Sequence, residues 1–128
     1  MEIVDLKVIS NSLKIAFETG DIDKINELYH DDIIVWHNYD LLNRNKNNSL
    51  ETAKWVFKNI QNFKIEIIDI IYFEQGYIQQ CIFRGKNSET GVFFVVHALI
   101  KITCIDNKII KIEEYTDTKQ GASVPEEY

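Results

Sequence analysis

The run Ile33-Ile34-Val35-Trp36-His37-Asn38-Tyr39-Asp40 sets an aromatic, an imidazole, an amide, a phenol and a carboxylate directly after an aliphatic stretch. Such a strand, apolar at its start and ionisable at its end, suits the edge of a ligand site, which combines apolar walls with a few aimed polar groups. Strand alternation puts Ile34, Trp36, Asn38 and Asp40 on one face and Ile33, Val35, His37 and Tyr39 on the other. The first set grades from apolar to ionisable, so that face is expected to look onto the ligand. Taken singly, each residue also has a plainer role: Trp36 as a core aromatic, His37 as a surface residue, Asp40 as the start of a turn.

Upstream, apolar groups at Leu6, Ile9, Leu13, Ala16 and Phe17 recur in steps of three and four, which predicts a helix over 3–19. Gly20 closes it in the usual C-terminal role. Asp21 then caps a second, short helix with Ile22, Ile25, Leu28 and Tyr29 on its inner side. Downstream, the Asn-rich segment Leu41 to Asn48, which also holds Arg44 and Lys46, reads as a mobile loop at the pocket mouth. Ser49 caps a third helix over 50–62, with a stripe of Leu50, Ala53, Val56, Phe57 and Ile60. Trp55 lies off that stripe, where it covers an edge of the pocket or sits in a subunit interface.

From Lys64 onward the period changes to that of strands and stays there. Lys64 to Glu74, Tyr77 to Arg84, Val92 to Cys104 and Lys108 to Asp117 alternate with turns at Gln75-Gly76, Asn87 to Gly91 and Asp106-Asn107. Helix, helix, strand, helix and then a run of antiparallel strands predicts an α+β domain, with helices packed on one face of a curved antiparallel sheet. No repeat or linker divides the chain. One domain over 1–118 is expected, followed by a loosely held polar tail over 119–128 that contains the only proline.

Composition narrows the partners. The 128 residues suit one domain, and 45% hydrophobic with 27% charged residues is ordinary for a globular protein. A formal net charge of −6, with the 14 Lys and Arg scattered, argues against a nucleic-acid partner. No apolar run approaches the ~20 residues of a membrane span, and the N-terminus lacks the layout of a signal peptide; a cytoplasmic location without a membrane partner is expected. Cys81 and Cys104 suggest neither a zinc site nor a disulfide framework but free, buried thiols. His30, His37 and His97 match no metal-ligand spacing, and the chain has no glycine-rich phosphate loop, serine elbow or activated cysteine. No metal and no cofactor is expected.

Gly20-Asp21 between the first helices, Tyr29-His30-Asp31-Asp32 leading into Trp36-His37-Asn38, and Asp106-Asn107-Lys108-Ile109-Ile110 followed by Glu113-Glu114-Tyr115-Thr116-Asp117 carry a resemblance over nearly the whole chain. They resemble the nuclear transport factor 2-like superfamily, which includes ketosteroid isomerase, limonene epoxide hydrolase and SnoaL-type polyketide cyclases. The Trp-His-Asn triplet with an Asp two residues on is similar to the SnoaL-like group. The resemblance implies a cone-shaped, cystatin-like barrel with three N-terminal helices on a curved antiparallel sheet. It also implies a deep pocket between the two layers and a homodimer through the outer face of the sheet.

By that resemblance, Trp36 and Asn38 match the aromatic and Asn that orient the attacking water in limonene epoxide hydrolase. Glu114 stands where that enzyme has its carboxylate base, just before the Tyr of the last strand. The Arg and Asp of its neighbouring strand have no counterpart in Gln79-Gln80-Cys81-Ile82-Phe83. His37 takes the place of the base Asp of ketosteroid isomerase, with Asp40 three residues further, and that enzyme's oxyanion-hole Tyr and Asp are not evident.

In an apolar cavity Asp40 or Glu114 would hold its proton more tightly, because burial disfavours the charged form, and would serve as a general base near neutral pH. His97, between Val95-Val96 and Ala98-Leu99, is expected to be the most buried histidine: an oxyanion donor, or a core residue with both ring nitrogens satisfied. Tyr115 and Asp117 share a face opposite Glu114, so one set lines the cavity unless a bulge intervenes; the resemblance favours Glu114. The expected catalytic set is Asp40, Glu114 and His97, and the expected ligand contacts are Trp36, Asn38, His37 and Tyr115. Two functions fit: binding of a small apolar molecule by a cofactor-independent isomerase, cyclase or hydrolase working through carboxylate acid–base chemistry, or a non-catalytic ligand-binding or dimerisation module. Convergence of Asp40, His97 and Glu114 on one cavity separates them.

Overall fold

A computed structural model describes residues 2–117 and Lys119; apart from Lys119, the tail expected to be loosely held over 119–128 lies outside the described residues. The elements are helices α1 (Ile3–Thr19), α2 (Ile22–Leu28) and α3 (Lys46–Asn59) and strands β1 (Tyr29–His37), β2 (Asn43–Arg44), β3 (Ile60–Phe73), β4 (Gly76–Asn87), β5 (Phe93–Ile105) and β6 (Lys108–Thr116).

The first two helices are set by their termini. Gly20 sits at φ 71°, ψ 30°, the left-handed region a side chain resists, and its N–H donates to Ala16 O. The Asp21 side chain then accepts from the Lys24 N–H at 3.0 Å and starts α2. The third helix begins earlier than its sequence suggests. Asn45, not Ser49, caps it by accepting from the Asn48 N–H at 2.9 Å, while the Ser49 hydroxyl donates back to Asn45 O. Asn and Ser are comparable caps, so the first suitable one upstream wins. The segment 41–48 is accordingly not a loop throughout: Asn43 and Arg44 form β2, paired with Trp36 and Val35 of β1, before α3 starts.

The strands form one six-stranded sheet in the order β2-β1-β6-β5-β4-β3. The sheet is mixed where an antiparallel one was expected, because β1 runs parallel to β6. From β1 the chain crosses through α3 to the far edge, and the meander from β3 to β6 brings the last strand back beside the first in the same direction. The sheet is curved and does not close into a barrel. Register shifts between Gln61 and Lys64, Ile67 and Asp69, and Thr103 and Cys104 mark irregularities of the kind that bend strands. At Gly76 a Cβ would lie 1.9 Å from Ile102 O, so only glycine admits this close approach of β4 and β5.

The helices cover one face. Leu6, Ile9 and Ala16 of α1, Ile25 and Leu28 of α2 and Ala53 of α3 meet Ile33, Val35, Ile65, Ile100, Ile102 and Ile112 from the sheet in one core. The opposite face is not covered by any described element, and Leu99 and Tyr115 stand there about half exposed, at 48% and 51%.

Candidate functional site

The core is hollow toward one end. A cavity of about 480 Å³ lies between the helices and the concave face of the sheet, within the size range of small-ligand sites. Its depth is apolar and aromatic, with Leu13, Phe17, Phe63, Phe83, Ile100 and Ile112; toward β1 and β6 it gains His37, Tyr39, Arg44, Glu114 and Thr116. Trp55, exposed on its outer side, also lines the cavity.

Strand parity decides which residues enter. On β1 the inward residues are Ile33, Val35 and His37, continued by Tyr39 in the following turn, so the face that lines the cavity is the opposite of the one expected to look onto a ligand. Trp36 points to the outer face, where its ring meets Tyr115 of β6 edge-on at 5.3 Å. Neither lines the cavity. The choice between the two faces of β1 turned on Trp36, and an aromatic stacked on the next strand's outer face satisfies it as well as a core would. On β6 Ile112, Glu114 and Thr116 point inward. On β5 the even residues Phe94, Val96, Ile100 and Ile102 do, which leaves His97 exposed on the outer side and not buried as its apolar neighbours imply. Alternation, not the hydrophobicity of adjacent residues, fixes its direction.

Asn38 does not contact the cavity, yet it helps shape it. Its N–H donates to Glu114 O at 3.0 Å and its side-chain oxygen accepts from the Thr116 N–H at 2.9 Å. These bonds extend the β1–β6 ladder past the end of β1 and fix the backbone on both sides of Tyr115, immediately after Glu114. Asp40 stands at the rim, outside the cavity lining, and pairs with Arg44 while accepting from the Leu42 N–H at 3.0 Å. The Arg44 guanidinium first, and the Leu42 N–H next, hold its carboxyl below the usual carboxylate range, the reverse of the shift expected for a buried base.

Glu114 is the enclosed carboxylate of the cavity wall; Asp117, just past the end of β6, also reaches the lining but is exposed, although strand alternation set it on the opposite face. Burial pushes its carboxyl up from an ordinary 4.5 to about 7. His37 Nε2 lies 3.4 Å from Glu114 Oε2, with the two side chains 13% and 18% exposed. Its Nδ1 lies 3.0 Å from Arg44 Nη1. Burial first, then the charge of Arg44, push the imidazole down, against the pull of Asp40. The Tyr39 ring packs 5.0 Å from that of His37, and its phenol is raised by burial, then by Glu114 and Asp40. Tyr29, fully buried at the start of β1, lines the cavity and is likewise raised by burial and then by Glu114. Both phenols therefore keep their protons and remain donors near the carboxylate.

Of the residues singled out from sequence, His37 and Glu114 meet in the cavity; Asp40 is at its rim, Asn38 behind it, and Trp36, His97 and Tyr115 on the outer face, so the expected convergence of Asp40, His97 and Glu114 on one cavity is not met and only Glu114 of the three enters it. Tyr29, Tyr39 and Arg44 were not on that list. The i, i+4 pairing of Asp40 with Arg44 and the odd-numbered run Ile33, Val35, His37, Tyr39 were the available signals. Among the described residues no group of His, Cys, Asp and Glu is arranged to hold a metal ion.

Solved structures superpose over most of the chain. A protein with a ketosteroid isomerase-like fold from Catenulispora acidiphila, in complex with trimethylamine, is 10% identical, with TM-score 0.78 and 88% of each chain covered. IdmH, a proposed polyketide cyclase from Streptomyces antibioticus, is 18% identical, with TM-score 0.80, covering 90% of this chain and 94% of its own. The fold is nuclear transport factor 2-like. An LEH-like epoxide hydrolase from M. tuberculosis shares this nuclear transport factor 2-like fold at 14% identity and TM-score 0.73, covering 92% of this chain and 86% of its own. No family model and no curated protein sequence matches the chain. A shared fold does not fix a function, so any activity has to be argued from the side chains that line the hollow, among them Glu114, His37, Tyr29 and Tyr39.

Proposed function

We propose that the cavity binds a small, largely apolar molecule and that the protein acts on it without a cofactor, as an isomerase, cyclase or hydrolase in which Glu114 is the general base. The observation that carries this reading is a buried carboxylate in the wall of a largely apolar cavity, with burial lifting its proton affinity to about 7. A base of that strength is about half ionised at neutral pH, where proton transfer in both directions is efficient. Tyr29 and Tyr39 supply neutral donors on the same wall, able to bond an oxygen that gains charge. The epoxide hydrolase and the proposed polyketide cyclase of like fold fall among the same reaction types.

The test is a thermal-shift panel of steroids, terpenoids and polyketide fragments, followed by a turnover assay on each compound that raises Tm. Binding by wild type and by Glu114→Gln, with turnover only by wild type, supports the reading. Turnover that survives Glu114→Gln, or no shift across the panel, contradicts it.

We also propose a homodimer through the outer face of the sheet. Leu99 and Tyr115, each about half exposed beside Trp36, give that face an apolar surface that favours association. Light scattering should return twice the chain mass, and Leu99→Asp should return the single chain. Reduced, buried Cys81 and Cys104 support a cytoplasmic location, and no described helix is long and apolar enough to cross a membrane.

A further inference from the structure

A line of contacts runs along the cavity rim and ends on Glu114. Asp40 pairs with Arg44, Arg44 Nη1 lies 3.0 Å from His37 Nδ1, and His37 Nε2 lies 3.4 Å from Glu114 Oε2. A guanidinium has only N–H donors, no acceptor, and keeps its charge throughout the working pH range. The contact at Nδ1 is therefore donated by Arg44, and Nδ1 must supply the lone pair. A neutral imidazole then carries its proton on the other nitrogen. We propose that Arg44, held by Asp40, is a positioning residue that locks His37 as the neutral Nε2–H tautomer, with that hydrogen facing the Glu114 carboxylate.

The local fold holds the lock in place. Arg44 is the register partner of Val35 in the short β1–β2 ladder, and directly opposed residues of an antiparallel pair share a face. The guanidinium thus rises on the cavity side beside His37. Asp40 is itself fixed by the Leu42 N–H at 3.0 Å. A second proton on His37 would have to break the Arg44 bond and set two cations side by side.

The consequence falls on Glu114. The titratable and charged groups around His37 are Arg44, Asp40, Tyr39 and Glu114; those around Glu114 are His37, Tyr29 and Tyr39. Lys14 and Asp117 also reach the cavity wall, and Lys14 is paired with Glu18 at 3.3 Å. An imidazolium beside Glu114 would stabilise the carboxylate and weaken it as a base. A neutral Nε2–H orients one carboxylate oxygen without neutralising it. The catalytic meaning of the lock rests on the general-base reading above, but the tautomer itself is read with no ligand present.

The experiment is ¹⁵N NMR of protein labelled at the imidazole nitrogens, with the His37 signals assigned from a His37→Gln spectrum. Near neutral pH the wild type should show His37 with a bare Nδ1 and a protonated Nε2. Arg44→Met, which keeps the stem and removes the donors, should turn this into a tautomer mixture or an imidazolium and raise the His37 midpoint. A wild-type ring protonated at Nδ1, or an Arg44→Met spectrum unchanged from wild type, would overturn the proposal. If Arg44→Met does not fold, Asp40→Asn takes its place: a rise in protonated Nδ1 supports the lock, and an unchanged ring contradicts it. A silent ligand panel would remove the enzyme reading and leave these spectra untouched, so the two failures are distinguishable.

Discussion

His37 and Glu114 are register partners on the parallel strands β1 and β6, and their side chains meet inside the cavity with Nε2 and Oε2 3.4 Å apart. That separation exceeds the roughly 2.7–3.2 Å of a formed N–H···O bond, so the two groups face each other without a closed hydrogen bond.

Glu114 should leave a mark on stability against pH. Its folded value, about 7, stands above its ordinary 4.5, so between these the folded chain keeps a proton that the unfolded chain releases. The stability it contributes is complete below 4.5 and is lost as pH rises through 7. The full change amounts to about 3 kcal/mol at ~1.36 kcal/mol per pH unit. His37 acts in the opposite sense: its value is lowered from 6.5, so on the acid side of 6.5 the unfolded chain takes a proton first and stability falls. Urea titrations should therefore show Glu114→Gln gaining on wild type by about 2–3 kcal/mol between about pH 5 and pH 8. Parallel pH profiles for the two would show that Glu114 is not a high-affinity proton site.

Trp36 lies on the far side of the sheet from the cavity, against Tyr115. For any steroid or terpenoid that raises Tm, Trp36→Ala should change Kd by less than about threefold, under 1 kcal/mol. Val35→Phe, which intrudes into the cavity wall, should weaken binding by about tenfold or more. Isothermal titration with both variants checks this, and the reverse order would place the ligand on the outer face.

Asn38 ties the end of β6 through the Thr116 N–H at 2.9 Å. Asn38→Ala leaves that donor without its acceptor and should cost about 1–3 kcal/mol, with faster hydrogen exchange at the Thr116 amide. Asn38→Asp, which still accepts, should recover most of the protection; equal loss in both variants would mean the bond is not what holds the strand.

The Tyr77 hydroxyl is buried and finds no hydrogen-bond partner among the described residues, and burial holds its proton firmly. An unpaired buried hydroxyl opposes folding by about 1–3 kcal/mol. Tyr77→Phe should be neutral or raise Tm, and a clear drop in Tm would show that the hydroxyl has a partner in solution.

The elements were legible because local rules agree with one another here. The apolar stripe ending at Gly20-Asp21 defines α1 and α2, and the turns Gln75-Gly76 and Asp106-Asn107 define the hairpins. Helix α3 was displaced because Asn45 and Ser49 are equivalent caps in an Asn-rich segment, and β2 was hidden because a two-residue strand has no period to read. The site was less legible. Trp36, Asn38 and Asp40 form as plausible an inner face as Val35, His37 and Tyr39, and only the tertiary pairing of β1 with β6 breaks the tie. Asp40 shows the same limit: a carboxylate four residues from an arginine is an ion pair in this turn, and the partner decides the direction of its shift.

The most direct measurement is a ¹³C NMR titration of the glutamate side-chain carboxyls, with Glu114 assigned by its absence in Glu114→Gln. One carboxyl with a midpoint near 7, belonging to Glu114, is the expected result. A Glu114 that titrates at its ordinary 4.5 would mean that its carboxylate is solvated rather than enclosed, and the proposed general base would be lost.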